Sequence, residues 1–242
     1  MKLLILSDIH SNLYSLEAIV HKERDSDVMY CAGDLVDVGF HPQEVIDCIQ
    51  ANNMIAVRGN HDEIVIRAFR SGKHLEDLPP HELTWPIVNA RQLNEASIAF
   101  LERLPAHLEF EADGIAYSMQ HLFHGYDTID SRHAFMDFWN RQTGGRPVCG
   151  KEKRLIFGHT HKQCVAYFHS GCLWMNPGSV GYNRPEDPSI AAHYITITDG
   201  RIELHWLEHA RSLSRQDMSR RFAEVYQKTT FGKEGGSPLQ SE

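Results

Sequence analysis

Aspartate, asparagine and histidine recur in five short polar clusters of this sequence, and all three residue types can bind metal ions. In chain order the clusters are Asp8-Ile9-His10, Gly33-Asp34, Gly59-Asn60-His61-Asp62, a histidine at 121 or 124, and Gly158-His159-Thr160-His161. Any one cluster is weak evidence, because aspartate often forms turns and histidine often bonds to a nearby carbonyl. Together they offer carboxylate, amide and imidazole ligands, which suit Mn, Fe, Zn and similar divalent ions.

The number of potential ligands in these clusters favours two metal ions over one. Three groups carry an oxygen ligand from aspartate or asparagine, and four are histidines. Asp34 stands between the other clusters in the sequence order and is the natural bridging residue. The pattern therefore predicts a site with two divalent metal ions.

Apolar strands precede the clusters and should position them. Continuous apolar runs predict buried strands over Lys2–Ser7, Asp27–Cys31 and Met54–Val57, with helices over Leu13–Arg24 and after Pro42. Strands that alternate with helices at this spacing are typical of βαβ units and a parallel sheet. Because the ligand crevice of such sheets lies beyond the carboxyl ends of the strands, we expect the clusters to converge there.

The second half of the chain predicts a further sheet between two insertions. A helical insertion over about 62–106 contains an amphipathic helix from Ala90 to Leu104, and a second insertion over about 126–152 contains a helix over His133–Arg141. Short spacings predict hairpins and a largely antiparallel sheet. Its strands are expected at His107–Phe110, Ile115–Gln120, Arg154–Phe157, Val165–Phe168, Leu173–Met175, Ala191–Ile197 and Ile202–Trp206.

We expect residues 1–209 to form one domain and residues 210–242 to form a C-terminal extension. A charged amphipathic helix over 210–228 leads into a flexible end that is rich in glycine, serine and proline. That helix could pack on its own chain or on a neighbouring copy, which leaves a homo-oligomer open.

Composition excludes several other classes of protein. The 42% hydrophobic and 23% charged residues are ordinary for a globular protein, and the net charge of -8 argues against a generic nucleic-acid-binding surface. No apolar run approaches the roughly 20 residues of a membrane span, and the run over 3–6 is too short for a signal peptide. The five cysteines form no C-x-x-C pair, which predicts reduced thiols and a cytoplasmic location.

The order D-x-H, G-D, G-N-H-D, H, G-H-T-H resembles the calcineurin-like metallophosphoesterases, over Lys2 to about Trp206. Residues 8–13, 100–105 and 176–181 resemble a bacterial phosphodiesterase branch related to diadenosine tetraphosphatases and Ser/Thr protein phosphatases. The resemblance implies an α/β fold, namely a two-sheet αββα sandwich of the metallophosphoesterase type. Its helices would cover the outer faces, and its metal centre would lie at the strand ends.

The resemblance also implies a role for each residue of the clusters. The implied metal ligands are Asp8, His10 and His161 for one ion, Asp34 as the bridge, and Asn60, His121 and His159 for the other. His61 would face the substrate, and Asp62 would hydrogen-bond to it and orient it. His121 matches the family in strand register, whereas His124 precedes a glycine as the family's histidine usually does, so we prefer His121 without excluding His124.

The expected chemistry is hydrolysis of a phosphate ester. A water molecule that bridges two divalent ions becomes a hydroxide nucleophile near neutral pH, and the ions neutralise charge on the phosphate. His61 is suited to protonate the leaving alkoxide, which is worth about 10²–10⁴-fold. We expect two ions of Mn, Fe, Zn, Ni or Mg, and a small-molecule or nucleotide substrate with a phosphodiester or, alternatively, a phosphomonoester bond.

Other functions and other residues stay open as alternatives. The same fold would suit a nucleotide pyrophosphohydrolase or a protein phosphatase, whereas a non-catalytic metal-binding scaffold is disfavoured because no ligand is missing. Several further residues are weaker candidates for the site, each with a structural role as the competing interpretation. They are Asn12, Arg58, Trp85, Trp139, the turn over 176–179, Tyr182 and Arg184.

Overall fold

The computed structural model describes residues 1–71, 84–123, 128–144, 152–181, 191–208 and 220, and its strands form two five-stranded sheets. The first sheet consists of β1 (Lys2–Leu6), β2 (Val28–Cys31), β3 (Ile55–Ala56), β9 (Ala192–Thr198) and β10 (Arg201–Leu207), in the order β10-β9-β1-β2-β3. The second consists of β4 (His107–Ala112), β5 (Ile115–Gln120), β6 (Glu152–Ile156), β7 (Cys164–Phe168) and β8 (Cys172–Asn176), in the order β4-β5-β6-β8-β7.

Strand β1 is apolar from Leu3 to Leu6 because both of its faces are buried there. Leu4 and Leu6 pack into a cluster with residues of the helices, whereas Leu3 and Ile5 pack against the second sheet. The strand runs parallel to β2 and antiparallel to β9. Burial on both faces is typical of parallel strands covered by helices, as the sequence predicts here.

Helices cover the outer face of each sheet. The helices α1 (Leu13–Lys22), α2 (Pro42–Ala51), α3 (Asn60–Arg70), α4 (Trp85–Gln92) and α5 (Glu95–Arg103) share a core with the first sheet. Helix α6 (Arg132–Thr143) packs its aromatic side chains on the outer face of the second sheet. The order of layers is therefore helix, sheet, sheet, helix, which confirms the predicted αββα sandwich.

Three predictions about individual elements are wrong. The strands expected at Ala191–Ile197 and Ile202–Trp206 belong to the first sheet, as β9 and β10, and not to the second. The second sheet is mixed rather than largely antiparallel: β5, β6 and β8 run parallel, and the antiparallel pairs lie at its two edges. The predicted helix from Ala90 to Leu104 is two helices that separate between Gln92 and Glu95. Asn94 causes this break, because its side chain accepts a 2.9 Å hydrogen bond from the Ser97 N–H and caps α5.

Some predictions fall outside the described residues. These are His124, Tyr182, Arg184, parts of both insertions, and the C-terminal helix and tail apart from Arg220. Within the described ranges, no helix has both the length and the apolar character needed to cross a membrane.

Candidate metal centre

The predicted polar clusters converge where strands of both sheets end. Backbone hydrogen bonds hold neighbouring loops together within each sheet. In the first sheet the Asp8 N–H donates to the Gly33 carbonyl over 2.9 Å, and in the second the Gly158 N–H donates to the His121 carbonyl over 2.9 Å. The loops after β1, β2, β5 and β6 therefore meet at one end of the sandwich.

Left-handed backbone conformations direct many of these side chains. Five of the predicted ligands have positive φ angles, and they are Asp8 (55°), His10 (49°), Asp34 (54°), His159 (63°) and His161 (61°). This conformation costs a residue with a side chain about 1–2 kcal/mol. Strain of this kind persists where the surrounding structure enforces it, and it concentrates at functional sites.

The first ligand group consists of Asp8, His10 and His161, all buried, with ligand atoms that lie within 4.8 Å of one another. His161 Nε2 lies 3.2 Å from Asp8 Oδ1 and 3.3 Å from His10 Nε2. Burial lowers the pKa of His10 to about 3, although the nearby carboxylates act against this shift. The imidazole of His10 is therefore neutral and has the lone pair that a metal ligand needs.

The second ligand group consists of Asp34, His121 and His159, again within 4.8 Å of one another. Asn60 belongs with them, because its Oδ1 lies 3.0 Å from both His121 Nε2 and His159 Nδ1. On the other side of its ring, His121 Nδ1 donates to the Ala32 carbonyl over 2.8 Å, since a carbonyl can only accept. This bond fixes the ring so that Nε2 faces the group, as in many metal-binding histidines.

Asp34 belongs to the second group and also faces the first. Its Oδ2 is 3.0 Å from His121 Nε2 and 3.9 Å from His10 Nε2, the arrangement expected of a bridging carboxylate. Burial lowers the pKa of His121, but the carboxylates of Asp34 and Asp8 outweigh burial and raise it to about 10. The centre thus attracts positive charge strongly, and its donor set fits divalent cations.

Two glycines allow the carboxylates to lie directly against the backbone. A Cβ atom at Gly59 would lie 2.0 Å from Asp34 Oδ1, and one at Gly158 would lie 2.5 Å from Asp8 Oδ2. Any side chain at either position would displace a ligand. The two glycines of the G-N-H-D and G-H-T-H motifs are therefore required by close packing.

His61 lies beside both groups in the first turn of α3 and is partly exposed. Its ring centroid is 4.9 Å from that of His10, and its backbone N–H donates to Asp34 Oδ1 over 2.9 Å. The Nδ1 atom is 2.6 Å from Asp37 Oδ2. Burial lowers the pKa of His61, but this hydrogen bond and the charge of Asp34 outweigh burial and raise it above its usual value.

The predicted role of Asp62 in orienting His61 is wrong. Its Oδ2 accepts from the Gly59 N–H over 2.9 Å, and its Oδ1 accepts from the N–H groups of Leu35 (2.8 Å) and Val36 (3.1 Å). A short acidic side chain at the third position of a helix folds back towards the helix start, which explains this geometry. Asp62 ties α3 to the loop after β2.

Asp37 is the partner of His61, and the sequence did not predict it. It is buried, at 3% exposure, and it pairs with His61 across 24 positions of sequence. One signal was available: Asp37 follows the predicted ligand Asp34 by three residues in the loop after β2.

Several weaker candidates have structural roles. Asn12 caps α1 by accepting from the Ser15 N–H over 3.1 Å, and Trp139 is a core residue on α6. Asn176 supports the G-H-T-H loop, because its amide donates to the Gly158 carbonyl over 2.7 Å. Trp85 packs edge-on against Phe40, at 4.8 Å between ring centroids.

A cavity of about 270 Å³ opens beside the second ligand group. Asn60 and His121 are among the residues that line it, together with Arg58, Gln120 and Gln142. Arg58 donates to the Glu102 carbonyl over 3.0 Å, so its guanidinium is held at the edge of this space. The cavity offers room for a small group next to the ligands.

Comparisons with known proteins support the family that the sequence motifs resemble. Residues 1–199 match the calcineurin-like phosphoesterase superfamily domain. An uncharacterized protein of Methanocaldococcus jannaschii is 26% identical over 223 residues, which are 85% of this chain and 86% of that protein.

Solved structures share the fold. A metallophosphoesterase from Sphaerobacter thermophilus superimposes with a TM-score of 0.68 at 23% identity, over 96% of this chain and 100% of that one. A hypothetical protein from Pyrococcus horikoshii has a TM-score of 0.68 at 17% identity, over 94% and 97% of the two chains. With a family match over most of its length, this chain belongs to the calcineurin-like phosphoesterase superfamily.

Proposed function

We propose that this protein is a phosphodiesterase that depends on two divalent metal ions. The observation that carries the proposal is the convergence of two largely buried ligand groups on Asp34, beside the pair of His61 and Asp37. The proposed ligands are those of the first group for one ion and those of the second group with Asn60 for the other. The donor set accepts Mn, Fe, Zn, Ni or Mg.

The chain's own residues position the substrate and supply a proton. When bound, the two cations contribute Lewis acidity, which neutralises phosphate oxygens and lowers the pKa of a water molecule. His61 is the proposed general acid. Because its Nδ1–H donates to Asp37, the ring is held in one orientation and Nε2 is left to give a proton to the leaving oxygen.

The proposed substrate is a small molecule or a nucleotide. The cavity beside Asn60 and His121 gives room for one ester group, and the net charge of -8 disfavours a long nucleic acid. We expect the protein in the cytoplasm, because its described cysteines are all free thiols. Residues 210–228 have two alternatives, packing on their own chain or on a second copy in a homo-oligomer.

Hydrolysis of bis-p-nitrophenyl phosphate and p-nitrophenyl phosphate by the wild type and by His61→Ala tests the proposal. We expect diester cleavage that stops in chelator, returns with Mn²⁺, and falls about 100-fold or more in the variant. His133→Ala is the matched control, since His133 is an exposed histidine of α6.

Three results would overturn the proposal that this protein is a phosphodiesterase. Turnover of the monoester alone would indicate a phosphatase. Cleavage of a dinucleoside polyphosphate without any diester cleavage would indicate a pyrophosphohydrolase. Two bound ions without turnover of any of these substrates would indicate a scaffold.

A further inference from the structure

One buried side chain of α4, that of Asn89, reaches from the helices between β3 and β4 to the loops after β1 and β2, beside the candidate metal centre. Asn89 has 0% exposure. Asparagine is a poor residue for the interior of a helix, because its amide competes for backbone hydrogen bonds. A buried amide is also costly unless it is fully hydrogen-bonded. Its presence at this position therefore calls for a specific set of partners.

Asn89 uses the full hydrogen-bonding capacity of its amide. Its Oδ1 accepts from the Ser11 hydroxyl over 2.5 Å and from the Asp37 N–H over 3.0 Å. Its Nδ2 donates to the Gly39 carbonyl over 2.8 Å and to the Trp85 carbonyl of its own helix over 3.2 Å. Three of the four bonds thus leave the helix and end on the two loops that follow β1 and β2.

The loop that Asn89 holds is strained. Asp37 and Val38 have φ angles of 77° and 60°, a region that is unfavourable for any residue with a side chain and most of all for a β-branched one. Asn89 bonds to the backbone on both sides of Val38, at Asp37 and at Gly39. Gly39 itself packs so closely that a Cβ atom there would lie 2.4 Å from the His10 carbonyl.

This strained loop determines where the Asp37 carboxylate points. Its Oδ1 accepts from the Val38 N–H over 2.8 Å, which leaves Oδ2 to bind His61 Nδ1. Ser11, whose hydroxyl donates to Asn89 Oδ1, directly follows His10 in the sequence. A single amide therefore connects the His61–Asp37 pair with the loop of the first ligand group.

We propose that Asn89 is a positioning residue, which clamps the loop over 37–39 so that Asp37 holds His61 in the orientation for proton donation. This inference rests on the proposed role of His61 as the general acid. Small errors in the placement of a catalytic group are costly, of the order of 100-fold in rate for about 1 Å. Loss of the clamp should therefore impair the proton transfer more than it impairs binding.

The test uses two diesters that differ in their need for a proton on the leaving group. p-Nitrophenol is a much stronger acid than phenol, so bis-p-nitrophenyl phosphate needs general acid help less than diphenyl phosphate does. We expect Asn89→Leu, which keeps the size and loses the hydrogen bonds, to lower kcat on diphenyl phosphate at least about tenfold more than on bis-p-nitrophenyl phosphate. Asp37→Asn should shift the ratio of the two rates in the same direction.

The ratio of rates does not depend on how much of each sample is folded, so partial unfolding cannot imitate the effect. Gln92→Ala is the control, because Gln92 is an exposed amide of the same helix that donates to the Val88 carbonyl within that helix. If Asn89→Leu does not fold, the ratio of the two rates is measured for Asn89→Asp instead. This variant keeps the oxygen that faces Ser11 and Asp37 and loses the donors to Gly39 and Trp85, and we expect a smaller shift of the same sign.

An NMR readout separates this inference from the proposed function. We expect a far-downfield Nδ1–H proton for His61 in the wild type, absent in His61→Ala and weakened in Asn89→Leu. Suppose that the His61 and Asp37 variants change the ratio of the two rates, while both Asn89 variants keep the wild-type ratio and the wild-type resonance. The proposed role of Asn89 is then wrong, and the proposed role of His61 as the general acid is retained. If His61→Ala leaves the ratio of the two rates unchanged, His61 is not the general acid, and the proposed role of Asn89 is then wrong as well.

Discussion

At the scale of single residues, Asp37 and Asp62 have different partners. Asp37 bonds to the imidazole, whereas Asp62 bonds to three backbone N–H groups. We predict that Asp37→Asn lowers kcat by about tenfold or more, since it weakens general acid catalysis. Asp62→Asn should instead cost about 1–3 kcal/mol of stability, because an amide nitrogen in place of one carboxylate oxygen leaves at least one of the three buried N–H donors without an acceptor.

Urea unfolding and kcat, measured for both variants, check this prediction. The control is Asp47→Asn, an exposed aspartate of α2 that should change neither quantity. An Asp62→Asn protein with wild-type stability and the activity loss of His61→Ala would return Asp62 to its originally expected role.

The glycines of the motifs give a second prediction at this scale. Gly158→Ala would place a Cβ 2.5 Å from Asp8 Oδ2 and 1.8 Å from Ser7 Oγ, so the carboxylate has to move. We predict at least about tenfold weaker Mn²⁺ binding by calorimetry, since ligand placement sets metal affinity. Gly114→Asn is the control: Gly114 has a positive φ that asparagine tolerates, and nothing lies within 4 Å of its added Cβ. Equal affinities in the two variants would refute the packing argument.

The residue types of the ligand groups could be predicted from sequence, because metal chemistry restricts them to oxygen and nitrogen donors that follow strands. The partner of His61 could not be predicted from sequence. Asp62 is its neighbour in sequence, but a helix turns that carboxylate away, and a loop with two left-handed residues brings Asp37 to the imidazole instead. Neither conformation has a sequence signal as clear as the ligand spacing.

At the scale of elements, Glu23 joins α1 to the first sheet. Its carboxylate accepts from the Tyr194 hydroxyl of β9 over 2.8 Å and pairs with Lys2 Nζ of β1 over 2.9 Å. Burial raises the pKa of Glu23, but the bonds from Lys2 and Tyr194 outweigh it and lower the pKa below its usual 4.5. The ionised form is therefore stabilised by folding.

The sign of the resulting pH dependence follows from this shift. Stability from Glu23 is fully present above the unfolded-state pKa of 4.5 and is lost as the pH falls through the lower folded-state pKa. We predict that Glu23→Gln is less stable than the wild type at pH 7 and that the difference shrinks at acidic pH. Urea unfolding in chelator measures it, with the exposed Glu17→Gln of α1 as the control. A difference that stays constant from pH 7 into the acid range would contradict the argument.

Strands and helices could largely be predicted, because their apolar periodicity is set by burial. The parallel run of β5, β6 and β8 was missed, since short spacings suggested only hairpins. In the fold, α6 lies between β5 and β6, and β7 occupies the edge beyond β8. Such an arrangement depends on pairing between distant strands, which local sequence patterns do not reveal.

At the scale of the whole molecule, each ligand group joins both sheets. The first takes Asp8 and His10 from the loop after β1 and His161 from the loop after β6, and the second likewise combines residues from both sheets. Bound metal ions would therefore crosslink the two layers. We predict that Mn²⁺ raises the Tm relative to chelator, since a ligand present at 100 times its Kd adds about 2.7 kcal/mol.

Thermal unfolding in Mn²⁺ and in chelator measures this stabilisation. The Asp34→Asn variant, which alters the residue between the two groups, should show a smaller shift than the wild type. Equal Tm values for the wild type in Mn²⁺ and in chelator would show that the metal ions do not join the sheets.

The central claim is that two metal ions in this centre give the chain phosphodiesterase activity. The most direct measurement is hydrolysis of bis-p-nitrophenyl phosphate by protein stripped of metal, during titration with Mn²⁺ and with bound metal counted in each sample. We predict no turnover in the stripped protein and a rate that rises to a plateau at two bound ions per chain. Full turnover by stripped protein, or no turnover with two ions bound, would contradict the claim that two metal ions give the chain this activity.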